Sequence, residues 1–154
     1  MKLIQIQQLA EETMKQHGLI QDGWTFQYDN AVRRFGYCDY RKKLISLSKN
    51  LVLLNNLYEI NNTILHEIAH ALAGNRAGHG REWKQMAKSI GCSGQRCYDS
   101  SVVSKPKHKW IGICPNCQRE VKRFKRMTIA CSNCCDKYNF GRYDEKYKFE
   151  WKEN

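Results

Sequence analysis

The chain has 154 residues, 42% of them hydrophobic and 27% charged, with ten glycines and two prolines. That composition excludes a disordered or fibrous protein and suits one domain, or a domain of about 100 residues with a small appendage. No apolar run approaches the roughly 20 residues of a membrane span, and Gln5, Gln7 and Gln8 interrupt what would be the apolar stretch of a signal peptide, so a cytoplasmic protein outside the membrane is expected.

The predicted elements follow in chain order. Leu3, Ile6, Leu9, Ala10, Thr13 and Met14 recur at helical spacing, and His17-Gly18 ends that helix. Asp22-Gly23 marks a turn. Short alternating runs at Trp24 to Tyr28, Arg34 to Cys38 and Leu44 to Ser48 predict three strands, expected to form one antiparallel sheet, with Asp39 to Lys43 joining the last two. Ser48 caps a predicted helix from Lys49 to Asn56, and Tyr58 to Ala73 reads as a longer, mostly apolar helix. Gly74 to Gly80 is a glycine-rich loop, and Arg81 to Ile90 is a helix stopped by Gly91. Residues 101–109 read as a linker between a domain at 1–100 and a small unit at 110–154.

The long helix contains His66-Glu67-Ile68-Ala69-His70. A spacing of four puts both imidazoles on one face, one turn apart, where both can reach one ion. Glu67 projects beside them, placed to take a proton from water rather than to bind metal. Ile64, Leu65, Ile68, Ala69, Ala71 and Leu72 make this a core helix. Burying two histidines and a glutamate there without partners would cost on the order of several kcal/mol, which favours a metal. A catalytic zinc needs a third protein ligand. The metzincin positions for a glycine and a histidine hold Ala73 and Arg76, whereas Gly78-His79-Gly80 stands nine residues past His70. His79 is therefore the third-ligand candidate, with Glu82 as the alternative. Tyr37, Tyr40 and Arg81 are candidates by type for a second electrophile.

Eight cysteines without an export signal point to metal rather than disulfides. Cys114-Pro115-Asn116-Cys117 and Cys131-Ser132-Asn133-Cys134 are two CxxC knuckles separated by 13 residues that include the alternating stretch Val121 to Ile129. Two such knuckles close a four-thiolate structural site, a zinc ribbon; Cys135 is the alternative to Cys134. Cys38, Cys92 and Cys97 lack a ligand set and are expected as reduced thiols, and His108 as a linker residue. Tyr147, Phe149 and Trp151 alternate with charges as a final strand would.

The formal charge of +11 is uneven: residues 1–104 carry 13 Lys/Arg against 9 Asp/Glu, and residues 105–154 carry 13 against 6. Such a basic segment suggests a polyanion partner. Lys122, Arg123, Lys125 and Arg126, with Phe124 among them, are the candidate nucleic-acid-binding residues; a solvated hairpin face with Phe124 turned inward is the other reading.

The stretch His17 to Trp83, with HGL-x-x-x-GW, the Phe35 to Leu47 hairpin, Leu47-Ser48 before a helix, HEIAHALAG and GHGREWK, resembles the SprT-like family of zinc metallopeptidase domains. That family includes the eukaryotic Spartan protease, which cleaves proteins crosslinked to DNA, and many bacterial members carry a C-terminal zinc ribbon. The resemblance implies an α+β, small zincin-like protease domain (an N-terminal helix, a three-stranded sheet and an HExxH helix) followed by the ribbon. It implies His66, His70 and His79 as ligands of a catalytic zinc and Glu67 as the catalytic carboxylate. The expected protein is a monomeric zinc endopeptidase with two zinc ions, acting on DNA-bound or DNA-crosslinked proteins, with RNA as the alternative polyanion. It would be nucleoid- or DNA-associated, or nuclear in a eukaryote. No long tail offers room for ubiquitin-binding or clamp-binding motifs, so that regulation is not expected. The competing reading is a nucleic-acid-binding protein whose HExxH zinc is structural, with little or no hydrolysis.

Overall fold

The computed structural model describes residues 3–99 and 101–154, and the chain divides into two compact units, Met1–Pro106 and Lys107–Asn154. The predicted boundary at residue 100 lies outside the described residues. Val103 is buried in the core of the first unit, and Asn55 exchanges two hydrogen bonds with the Ser104 backbone at 2.8 and 2.9 Å. The first half of the expected linker is thus packed against the first unit.

The first unit starts with helix α1 (Leu3–Gln16), which buries Ile6, Ala10, Thr13 and Met14. Gly18, at a φ of +77°, lets the chain turn back at its end. Strands β1 (Thr25–Asp29), β2 (Gly36–Asp39) and β3 (Leu44–Ser48) form a three-stranded sheet in the order β1-β3-β2. The all-antiparallel expectation is corrected here: β2 and β3 pair antiparallel, but β1 and β3 pair parallel through all five residues, Thr25 opposite Leu44 to Asp29 opposite Ser48. The physical reason lies in β3. Ile45 and Leu47 bury one face, and Ser46 and Ser48 are buried on the other, so this strand takes the centre and leaves β1 and β2 at the edges. The two serines satisfy their hydroxyls inside the fold, Ser46 donating to Asp29 Oδ2 at 2.7 Å and Ser48 to the Ala31 carbonyl at 2.6 Å.

Ser48 also accepts from the Leu51 N–H and caps α2 (Lys49–Leu54). Asn56 caps α3 (Leu57–Ala73) in the same way through the Glu59 N–H. After the 74–80 loop comes α4 (Arg81–Ser89). Helix α3 is covered on two sides: Ile60, Ile64 and Ile68 enter the main core with Phe35, Ile45, Leu47 and Leu51, while Leu65 and Ala69 meet Trp83 and Ala87 of α4. The second unit is a sheet of β4 (Trp110–Ile113), β5 (Glu120–Arg123) and β6 (Glu150–Glu153), all antiparallel in the order β5-β4-β6, with helix α5 (Ser132–Asn139) inserted. Only three residues of the expected Val121-to-Ile129 region are strand, and Tyr147 sits in a short 3-10 turn, Glu145–Tyr147, before β6. Together these elements make an α+β protein with two small sheets.

Replacing Ser48 with Ala removes a helix cap and the shorter of two hydrogen bonds to the Ala31 carbonyl, which keeps only the Asn50 amide at 3.2 Å. Urea denaturation should show a loss of roughly 1–3 kcal/mol, whereas Ala at the neighbouring, exposed Lys49 should change stability by no more than about 0.5 kcal/mol.

Candidate metal and catalytic site

The face of α3 left free by the two cores carries His66 and His70, one turn apart. His79 reaches them from the loop between α3 and α4, where Gly78 adopts a φ of +51° and Gly80 opens α4. His79 Nε2 stands 3.1 Å from His66 Nε2 and 3.0 Å from His70 Nε2. Trp83, fully buried in α4, forms the wall behind them. Its ring centroid lies 4.6 Å from those of His66 and His79, and it stacks on His70 at 5.2 Å and 28°. The Trp83 indole N–H is buried without a hydrogen-bond partner among the described residues, at a cost of about 1–3 kcal/mol. The ring is held there for its shape.

Burial, with the charges of His70 and His79, lowers His66 to about 4; burial and then His79 lower His70 to about 4. His79 is lowered too, by burial and by Arg96. All three imidazoles are therefore neutral near pH 7, the form that ligates metal. Nitrogens bound to one tetrahedral zinc at 2.0–2.1 Å stand about 3.3–3.4 Å apart, close to the separations found here. The donor set fits a metal ion of zinc type.

Glu67 is 7% exposed, and burial pushes its carboxyl up to about 8 against the opposing charge of Arg34. It lies against Gly36 of β2, where a Cβ would come within 2.5 Å of Glu67 Oε1 and 2.7 Å of its Cγ. Only glycine admits the carboxylate at this point. Both groups line a cleft of about 710 Å³ that also holds the three histidines, Tyr37, Cys38 and Tyr40. Tyr40 donates to the His70 carbonyl at 3.0 Å, fixing the helical turn that carries His66 and His70. Tyr37 is 46% exposed at the cleft, with the Arg34 guanidinium over its ring at 4.8 Å. Arg81, the third candidate electrophile, does not line this cleft. Cys38 is a neutral thiol, pushed up to about 12 by burial and by Glu67 and Asp39. Glu82, the alternative ligand, stands outside the histidine cluster.

A family model for the SprT-like family matches residues 4–106. The chain belongs to the SprT-like family. No curated protein and no solved structure matches it. The SprT-like match spans the sheet, the histidine cluster and the segment through Pro106, and leaves the second unit outside.

In that unit Cys114, Cys117, Cys131 and Cys134 bring their sulfurs within 4.8 Å of one another. Cys114 and Cys134 are 3.8 Å apart and Cys117 and Cys131 3.6 Å, far beyond a disulfide bond and close to the roughly 3.8 Å edge of a tetrahedral zinc–thiolate site. The first knuckle turns through Gln118 at a φ of +58°; the second is the N-terminus of α5, not a second hairpin. Arg119 joins the two, donating to Ser132 Oγ and Asn133 Oδ1. Burial opposes ionisation of Cys131, but hydrogen bonds from the Cys134 backbone and the other thiols outweigh it and lower Cys131 to about 7. Cys135 is buried outside this set. The cysteines pack with Phe149, Val121 and Trp151 in a very small core, and Gly112 of β4 gives the Trp151 ring its seat: a Cβ there would lie 2.9 Å from Trp151 Cζ3.

Among the basic residues, Lys122, Lys125 and Arg126 are exposed and Arg123 is half-buried opposite Trp110. Phe124 lies outside the cysteine core and stacks on His108, centroids 4.4 Å apart at 29°. Arg126 covers the Trp110 ring at 4.7 Å. His108, read as a linker residue, belongs to this face. Sequence reasoning also missed Trp83 and Gly36. Trp83 was visible in GHGREWK as a tryptophan four residues past His79 (one helical turn), whereas nothing local marks Gly36.

If Gly36 is required by the Glu67 side chain, Gly36→Ala should destabilise by about 1–3 kcal/mol, and the loss should nearly vanish in a Glu67→Ala background. A double-mutant cycle by urea denaturation reads the coupling; additive effects would mean that Gly36 serves some other contact.

Proposed function

We propose that this SprT-like chain is a zinc endopeptidase that acts on proteins held on nucleic acid. The observation that carries the reading is the buried carboxylate of Glu67, adjacent in α3 to a cluster of three neutral imidazoles at the floor of an open cleft. A structural metal site has no use for a carboxylate desolvated beside it, which weighs against the purely binding alternative. His66, His70 and His79 would hold the ion, in a zincin-like arrangement of two ligands and a base from one helix and a third ligand from beyond it. A zinc ion in such a set supplies a Lewis acid that acidifies water and polarises a carbonyl.

The remaining work falls to the chain's own residues. Glu67 takes a proton from the attacking water at a carboxylate oxygen. It then hands that proton to the departing amine nitrogen. Gly36 keeps room for the carboxylate, and Trp83 and Tyr40 keep the imidazoles oriented. Strand β2 is an edge strand bordering the cleft, so its free backbone groups suit an extended polypeptide.

The four cysteines would hold a second, structural zinc, supporting a unit whose own core is too small to fold alone. Its basic face, with His108, Trp110 and Phe124 among Arg123, Lys125 and Arg126, supports binding to phosphate backbones, DNA in the first instance. Among the described residues no helix is long and apolar enough to cross a membrane, and a cytoplasmic, DNA-associated site of action is part of this proposal.

Glu67→Gln should keep the metal content and fold of the wild type while cleavage of a DNA-bound protein falls at least about 100-fold. Unchanged cleavage would trace the activity to a contaminant, and loss of metal would make Glu67 a ligand. Reversing charge at Arg123, Lys125 and Arg126 should weaken DNA binding and DNA-stimulated cleavage together, and wild-type affinity should fall steeply across a salt series. Binding and cleavage unaffected by that reversal would reduce the second unit to a structural support.

A further inference from the structure

The cleft over Glu67 has a second property that hydrolysis alone does not require. Four cations line it: Arg33 and Arg34 from the β1–β2 connection, and Arg96 and Lys105 from the segment after α4. All four are exposed. Residues 1–106 contain nine carboxylates, yet Glu67, at the floor, is the one acidic residue among those lining the cleft. The chain's general positive charge does not account for this, because the first unit is only mildly basic. Arg34 is held by Asp29 at 2.9 Å, but Arg33, Arg96 and Lys105 have no carboxylate partner among the described residues.

The wall bearing two of these cations is built, not loose. Tyr98 donates to the Arg33 carbonyl at 3.0 Å and packs edge-on against Phe35. Val103 is buried, and Asn55 fixes Ser104. The segment that reads in sequence as a tail of the domain is thereby fastened to the β1–β2 connection as one rim of the cleft.

We infer that the cleft selects acidic polypeptide segments, with Arg33, Arg96 and Lys105 as specificity residues that receive Asp or Glu side chains flanking the scissile bond. The inference rests on the protease reading and names its substrate class. Peptide carboxylates fit better than a nucleic-acid strand because two of the cleft's tyrosines each carry a cation on one face: Arg34 lies over Tyr37 at 4.8 Å, and Lys105 lies over Tyr98 at 5.3 Å. Those two faces are closed to a stacking base. The charge also suits the proposed setting. A protein held on a polyanion keeps its basic surface there, so the segments free to enter the cleft are its acidic ones.

The test uses the full chain and fluorescent peptides of one length, with a common neutral centre and acidic, serine or lysine flanks. Anisotropy with the Glu67→Gln protein reads binding without turnover, and cleavage by the wild type reads kcat/KM. The acidic peptide should bind at least about ten-fold tighter than the lysine peptide, and its kcat/KM should be higher by a similar factor, mainly through KM. The preference should collapse as salt screens the charges, and the double variant Arg96→Glu/Lys105→Glu should reverse it with an unchanged circular dichroism spectrum. Equal binding of the three peptides, or tighter binding of the lysine peptide, overturns the inference. So does an oligonucleotide that displaces the acidic peptide from the wild type but no longer binds the double variant's cleft. Correct binding order with no peptide cleaved would leave the cleft assignment standing and sink the protease reading; cleavage indifferent to flanking charge would do the reverse.

Discussion

Three imidazole nitrogens facing one another at 3.0 and 3.1 Å impose the constraint from which the first unit is organised. Neutral lone pairs at that distance repel unless a proton or a cation lies between them, and burial has already removed the charged forms. The chain holds this arrangement by enclosing α3 on two sides, so that His66 and His70 cannot turn away, and by wedging Trp83 behind all three rings. A packed scaffold that forces like groups together stores free energy for a ligand that relieves the repulsion. The cost is visible in the unpartnered Trp83 N–H.

Glu67 extends the same logic to the proposed base. Its carboxylate is kept near the histidines by backbone, not by a hydrogen-bonding side chain: Gly36 on β2 provides a surface without a Cβ. The position of β2 therefore matters to the chemistry, and that position is set by the sheet order. Because β3 is buried on both faces, β2 lies on the outside of the sheet, where it can border the cleft. The fold and the site are joined at this strand. The second unit poses a different problem, since four cysteines and a few apolar side chains bury little surface, and the proposed structural metal would make up the difference.

The local features were legible from residues alone. Helix periods, the Ser48 cap, the HExxH face, the GHG turn and the paired CxxC knuckles all depend on neighbours in sequence, and the structure places each where its spacing predicts. What was not legible depended on distant partners. The alternation Leu44-Ile45-Ser46-Leu47-Ser48 reads as a half-exposed strand, because nothing local announces that Asp29 and Ala31 will satisfy the serines. That one misreading turned a mixed sheet into an antiparallel one. Gly36 looked ordinary because the group it accommodates lies 31 residues away. Arg96 and Lys105 were passed over because Tyr98 and Val103, which fasten their segment, show no periodic pattern. Helix α5 was missed because a CxxC turn reads the same whether a strand or a helix follows it.

The proposed function requires two different metal sites, one of nitrogen and one of sulfur. Zinc-edge X-ray absorption on the purified full chain tests it most directly. The wild type should show a first shell that mixes nitrogen or oxygen scatterers at about 2.0 Å with sulfur at about 2.3 Å, and His66→Ala should show sulfur alone. A wild-type spectrum of sulfur alone, unchanged by His66→Ala, would contradict the account.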